Sequence, residues 1–191
     1  MYTRSSEKLA HHLKPGYVYR REDLLPYSKA IDRDLIRLVH EGLLEKVAPG
    51  LYFKPQSSRF GSLPPDDHAL VKAFLRDDRF LLFSWNEYNT LGLGLTQLYN
   101  RALVYNHKRH GIFMLGGKEY DFRRSARGFP QKLTLAFLVV DLLNNVNELA
   151  EDVERVKEKI KTNLSPSLLK QVSQYAKKYG KVATKKFFSG L

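Results

Sequence analysis

Apolar positions change their spacing several times along the chain, and each change marks an expected element. Between Ser28 and Glu41 they fall at Ile31, Leu35, Leu38 and Val39, the spacing of one buried helical face. Gly42 follows as the C-terminal stop. Upstream, residues 6–14 read as a first helix closed by Pro15-Gly16, 17–20 as a short strand, and 21–27 as a short helix ended by Pro26. Downstream, Leu51 and Phe53 alternate with Tyr52 and Lys54, a strand pattern. Pro49-Gly50 supplies the fixed φ and the positive φ of a type II turn. Helix, strand, two helices and a hairpin in that order predict a winged helix-turn-helix.

The pattern then loosens. Residues 54–67 are rich in Pro, Ser and Gly and read as a linker. A helix is expected from Pro65, with acids in its first turn and Leu70, Val71, Phe74 and Leu75 as its apolar face. Residues 79–83, 101–106, 111–115 and 118–124 read as strands, and Gly116-Gly117 as a hairpin turn. Ser84 with Glu87 three residues on has capping-box spacing. Helices are expected over about 130–146, 148–161, 165–178 and 180–188. The expected class is α+β: a winged helix-turn-helix over 1–60, then a mixed α/β domain over 61–191 with a helical C-terminal region.

Charge gives the third helix its meaning. On a wheel of 100° per residue with Ile31 at zero, Lys29, His40, Arg33 and Arg37 fall between about 160° and 240°, opposite the apolar face. Ile36, near about 140°, is the apolar exception on that side. The whole chain carries a formal net charge of +12, which favours a polyanion as partner. Lys29 and Arg33 lie on the N-terminal half of the helix, where recognition helices touch base edges. Arg20, Arg21, Ser28 and Lys46 are expected at phosphates, with the hairpin tip Ala48–Gly50 along the backbone or minor groove. The last 37 residues, 155–191, hold ten bases and one acid, and solvation alone explains many such faces.

The segment "GYVYRREDL" followed by "SKAIDRDLIRLVHEGLLEKVAPGLYFKP" resembles the N-terminal domain of AbiEi-like antitoxins of type IV, AbiE-type toxin–antitoxin systems. The matching positions are Gly16, Val18, Ser28, Leu35, Arg37, Leu38, Val39, Glu41, Gly42, Val47, Gly50, Leu51, Tyr52 and Pro55. "LPPDDHALVKAF", "NTLGLGLTQ" and "YGKVATKKFF" are similar to later parts of the family. The resemblance implies a bacterial, cytoplasmic regulator that represses its own operon and counters a nucleotidyltransferase-type toxin without being an enzyme. Its partners would be double-stranded DNA, that toxin, and a second copy where the operator is palindromic. The departure is at "DLLPYSKAID", where Pro26-Tyr27 replaces a Gly-Ser-Arg-like turn, so Tyr27 is expected to stand in for an arginine contact. A winged-helix module that docks an acidic protein is the alternative reading.

Other chemistry is sparse. The chain has no cysteine, which removes disulfides and thiolate chemistry. His107-x-x-His110 has chelating spacing but no third ligand nearby in sequence. Asp66-Asp67 and Asp77-Asp78 are adjacent pairs that diverge on a helix. No catalytic residue, metal or cofactor is expected. The run Leu133–Val140 is too short to span a bilayer, and no membrane partner is expected.

Overall fold

The computed structural model describes residues 4–59, 61–95 and 97–190. It is a mixed α+β structure that divides into two compact units. The first comprises Met1–Asp78 with Phe113–Glu119, and the second Arg79–Ile112 with Tyr120–Leu191. The expected division at 60/61 therefore falls inside the first unit.

The first unit begins with α1 (Arg4–His12), β1 (Val18–Arg20) and α2 (Arg21–Leu24), which runs into a 3-10 turn at Leu25–Tyr27. Pro26 at the start of that turn lacks the N–H a longer α-helix would need. Next come α3 (Ile31–His40), β2 (Glu45–Ala48) and β3 (Leu51–Phe53). The sheet order is β1-β3-β2, all antiparallel. β3 is central, and all three of its residues are buried, so its two-fold alternation separates two covered faces rather than an inside from an outside. Leu9, Leu13, Leu24, Ile31, Leu35, Leu38, Leu44 and Tyr52 form one helical core on this sheet.

The expected linker contains structure. β4 (Gln56–Ser58) and β5 (Gly61–Leu63) pair antiparallel, and the Ser58 hydroxyl donates to the Gly61 carbonyl. These strands are polar and mostly exposed, so no hydrophobic alternation announced them; position 60 lies outside the described residues. α4 (Asp67–Leu75) then starts at an Asp66 cap, whose carboxylate accepts from Ala69 N at 2.8 Å. α4 packs on β1.

The chain continues with β6 (Leu81–Ser84), a 3-10 segment at Trp85–Leu91, β7 (Ala102–Asn106), β8 (Gly111–Leu115) and β9 (Lys118–Arg124), of which all but Phe113–Glu119 belong to the second unit. The tip of the β8–β9 hairpin, Phe113–Glu119, clusters with the first unit. The sheet order is β6-β7-β9-β8, with β7 and β9 parallel. α5 (Leu135–Asn145) follows, capped by the Thr134 hydroxyl, and every residue from Ala136 to Leu142 is buried. A 3-10 turn at Val146–Glu148 and an Asp152 cap delay the next helix, so α6 is Val153–Asn163. α7 (Pro166–Tyr179) and α8 (Val182–Ser189) complete the chain. α7 packs along α5 and α8.

A polar network is buried in this unit. Asp141 accepts hydrogen bonds from the hydroxyls of Tyr88 at 2.7 Å and Tyr105 at 2.6 Å. Asn145 donates to the Tyr105 hydroxyl and the Asp141 carbonyl. Burial raises the Asp141 carboxyl above its usual range, against the opposing pull of the two tyrosines. Burial, then the neighbouring Asp141, raises both tyrosines too.

Candidate nucleic-acid interface

α3 divides as its sequence predicts. Ile31, Leu35 and Leu38 are buried, while Lys29, Arg33, Ile36 and His40 are exposed. Arg33 has no intramolecular partner among the described residues. The helix forms because its apolar residues recur on the core side and Gly42 (φ +70°) terminates it in the left-handed region. Asp34, which the wheel sets at the edge of the apolar face, is buried.

That burial changes the role of Ser28. Its hydroxyl donates to Asp34 Oδ2 at 2.6 Å and accepts from Ala30 N at 3.0 Å. Ser28 is 8% exposed. The residue expected at a phosphate instead closes the entrance to α3, and the helix begins at Ile31 rather than Ser28.

The other expected phosphate contacts separate into free and committed groups. Lys46 is exposed on β2 with no partner among the described residues. Arg21 forms a two-point pair with Asp32 at 2.6 Å on both arms. The hydrogen bond to Arg21 holds the Asp32 carboxyl below its usual range, and Arg21 is raised in return. Arg20 is committed to the fold: it bonds Glu22 at 3.1 Å and the Ala73 carbonyl of α4 at 2.5 Å, with 19% of its side chain exposed. Arg37 pairs with Glu41 one turn on at 2.9 Å. Tyr27 stacks on His12 of α1, ring centres 3.6 Å apart, so the expected substitute for an arginine contact is part of the packing between α1 and the 3-10 turn.

The hairpin tip is also shorter than expected. Ala48 is buried, and the Gly50 carbonyl accepts from Arg21 N at 2.9 Å. Of Ala48, Pro49 and Gly50, only Pro49 is exposed. Backbone pairing of Arg20 with Leu51 sets this geometry, because it draws the β2–β3 turn against the start of α2.

Ile36 was legible only as an exception. It is 72% exposed, one helical turn from Arg33 on the same side. An apolar side chain beside cations has one chemistry there that cations lack, contact with the methyl of thymine. His107 and His110 lie in the loop after β7, and no group of three metal-ligating side chains occurs among the described residues.

No family model and no curated protein matches the chain. Among solved structures, it is similar to the crystal structure of the RV2827C protein from Mycobacterium tuberculosis. The match has 15% identity and a TM-score of 0.46, and covers 98% of this chain and 80% of that one. No helix among the described residues is long and apolar enough to cross a membrane.

Proposed function

We propose that the first unit is a winged helix-turn-helix that reads duplex DNA. On this reading the chain is a transcriptional regulator, the antitoxin of a type IV pair that represses its own operon and counters a nucleotidyltransferase-type toxin. The observation that carries DNA binding is the outward face of α3, where Arg33 is exposed and unpartnered beside exposed Lys29 and Ile36. The antitoxin role rests on the resemblance of the segment ending in "VAPGLYFKP" to AbiEi-like antitoxins.

The proposed mechanism follows from size and charge. Ten residues make α3 about 15 Å long, and a major groove about 12 Å wide admits such a helix. Arg33 donates to guanine O6 and N7, and Ile36 meets a thymine methyl. Lys46 sits at phosphates, which fix register without reading sequence. Arg21, already paired with Asp32, is not a primary anion contact.

Fluorescence anisotropy on the chain's own promoter at rising salt tests this. If about six phosphates are covered, affinity falls by about three decades between 50 and 200 mM salt. Affinity that is flat across that range, or equal for promoter and random duplex, removes the regulator reading. An apolar anchor at Ile36 beside the exposed cations Lys29 and Arg33 favours one second reading, a module that docks an acidic protein. That reading expects no shift of any duplex and a complex with the product of the neighbouring gene.

A further inference from the structure

The second unit contains a cleft that neither the fold nor DNA reading uses. Its volume is about 210 Å³. Arg124, Arg127 and Lys181 line it together with Tyr105, Asp141 and Asn145. His110 and Arg124 also line an adjoining open depression. The cleft lies at the carboxyl ends of the parallel strands β7 and β9, where Asn106 and Arg124 are in register.

The cations converge because three elements place them. The turn Ser125–Gly128 is closed twice, by Gly128 N to the Ser125 carbonyl at 3.1 Å and by the Ser125 hydroxyl to the Gly128 carbonyl at 2.9 Å. Gly128 has φ +71°, a conformation that L side chains adopt at a cost. Arg124 precedes this turn and Arg127 lies within it, both exposed and with no intramolecular partner among the described residues. Lys181, at the link from α7 to α8, is anchored by its backbone N to Asn144 Oδ1 at 2.7 Å and by its ammonium to the Asn144 carbonyl.

The acids nearby are already occupied. Both Asp141 oxygens accept from tyrosines. Asp121 and Glu148 are bound by Arg123 at 2.7 and 2.6 Å. Two unspent guanidinium forks and an ammonium therefore face a concave space with no free carboxylate on its lining. Guanidinium forks match the paired oxygens of a phosphate. A duplex presents its phosphates on a convex surface, which a narrow cleft does not admit. A phosphate joined to its carrier through one oxygen can enter, and the apolar faces of Tyr105, Phe137 and Tyr179 line the space beside it.

We propose that this cleft binds a phosphomonoester, with Arg124 and Arg127 as the two-point contacts and Lys181 as the opposing charge. The same chemistry occurs on a free sugar phosphate and on the 5′-phosphate of a single strand. The proposal does not depend on DNA reading by α3.

The test is calorimetric titration of the full chain with ribose 5-phosphate, ribose, and a trinucleotide with and without its 5′-phosphate. Saturable binding of ribose 5-phosphate but not ribose is expected. The double variant Arg124→Ala, Arg127→Ala should bind it about ten-fold or more weakly, with unchanged unfolding temperature and promoter affinity. Lys170→Ala, on α7 outside the cleft, should leave binding unchanged. A phosphorylated trinucleotide that binds about ten-fold tighter than ribose 5-phosphate assigns the strand end; equal affinity assigns the small molecule. Equal titration by ribose, unchanged affinity in the double variant, or an equal loss in Lys170→Ala overturns the proposal.

Discussion

Arg33 stands on the outer face of α3 with no intramolecular partner among the described residues. Arg123 lies on β9 with 17% of its side chain exposed and bonds to Asp121, Asn145 and Glu148. Burial opposes the charge of Arg123, yet Glu148 and Asp121 more than offset that, and its pKa is raised. The two arginines add equally to the net charge, but only one has charge to offer. The positive total alone therefore says little; the pairing of each cation decides which surface attracts an anion.

Breaking the buried side of this comparison has the largest expected effect. Asp141→Ala leaves the hydroxyls of Tyr88 and Tyr105 without their acceptor. At roughly 1–3 kcal/mol for each stranded donor, the chain loses about 2–6 kcal/mol, measurable by urea denaturation. Promoter binding by the folded fraction should persist. The wild-type carboxyl is raised in the folded state, so the native chain holds a proton that the unfolded chain releases. Stability should therefore fall as pH climbs from the ordinary carboxylate range through the raised pKa, and Asp141→Asn should flatten that slope.

On the exposed side, Arg33→Ala should weaken promoter binding by about 1–3 kcal/mol and leave urea stability unchanged. Anisotropy with operator and scrambled duplex reads the loss of discrimination. Ile36→Ala should cost about four-fold in affinity, confined to operators with thymine at one position. Replacing that thymine with uracil should reproduce the loss in the wild type and add nothing in the variant. Asp32→Asn frees Arg21 and removes an acid from the cationic face, so affinity should rise about two-fold at low salt and return to wild type at high salt. Lys46→Ala should reduce the slope of log affinity against log salt by about 0.9. A slope unchanged by that substitution takes the β2–β3 hairpin off the duplex.

α3 was legible because one helix with a single buried stripe leaves both faces written in its period. The Pro49-Gly50 turn and the Gly116-Gly117 turn were legible because each needs residues with restricted or positive φ. Ser28 and Asp34 were not, since their bond joins a loop to a helix six residues on and nothing in the spacing marks it. The α+β class was readable, but the parallel pairing of β7 with β9 was hidden, as the loops at 107–110 and 116–117 on either side of the 111–115 strand read as successive hairpin turns. The Asp141 network brings together positions 88, 105, 141 and 145, and long-range polar contacts leave no periodic trace. The cations of the cleft at 124, 127 and 181 were visible only as part of the basic total.

Gly116 has one further consequence. Its N–H donates to the Val47 carbonyl of β2 at 2.8 Å, and a Cβ there would meet Pro65 at 3.4 Å and Leu70 at 3.6 Å. Phe113, from the same hairpin tip, tilts against Phe74 with ring centres 5.1 Å apart. The first unit is thus sewn shut by a stitch drawn from Phe113–Glu119, beyond the end of its first segment at Asp78. An excised fragment ending at position 78 would lose the Gly116 donor to the Val47 carbonyl and the ring contact of Phe113 with Phe74. Domain swaps and tag insertions that treat the front of this chain as a detachable cassette will rip that seam, so its functions are better dissected by single substitutions than by scissors.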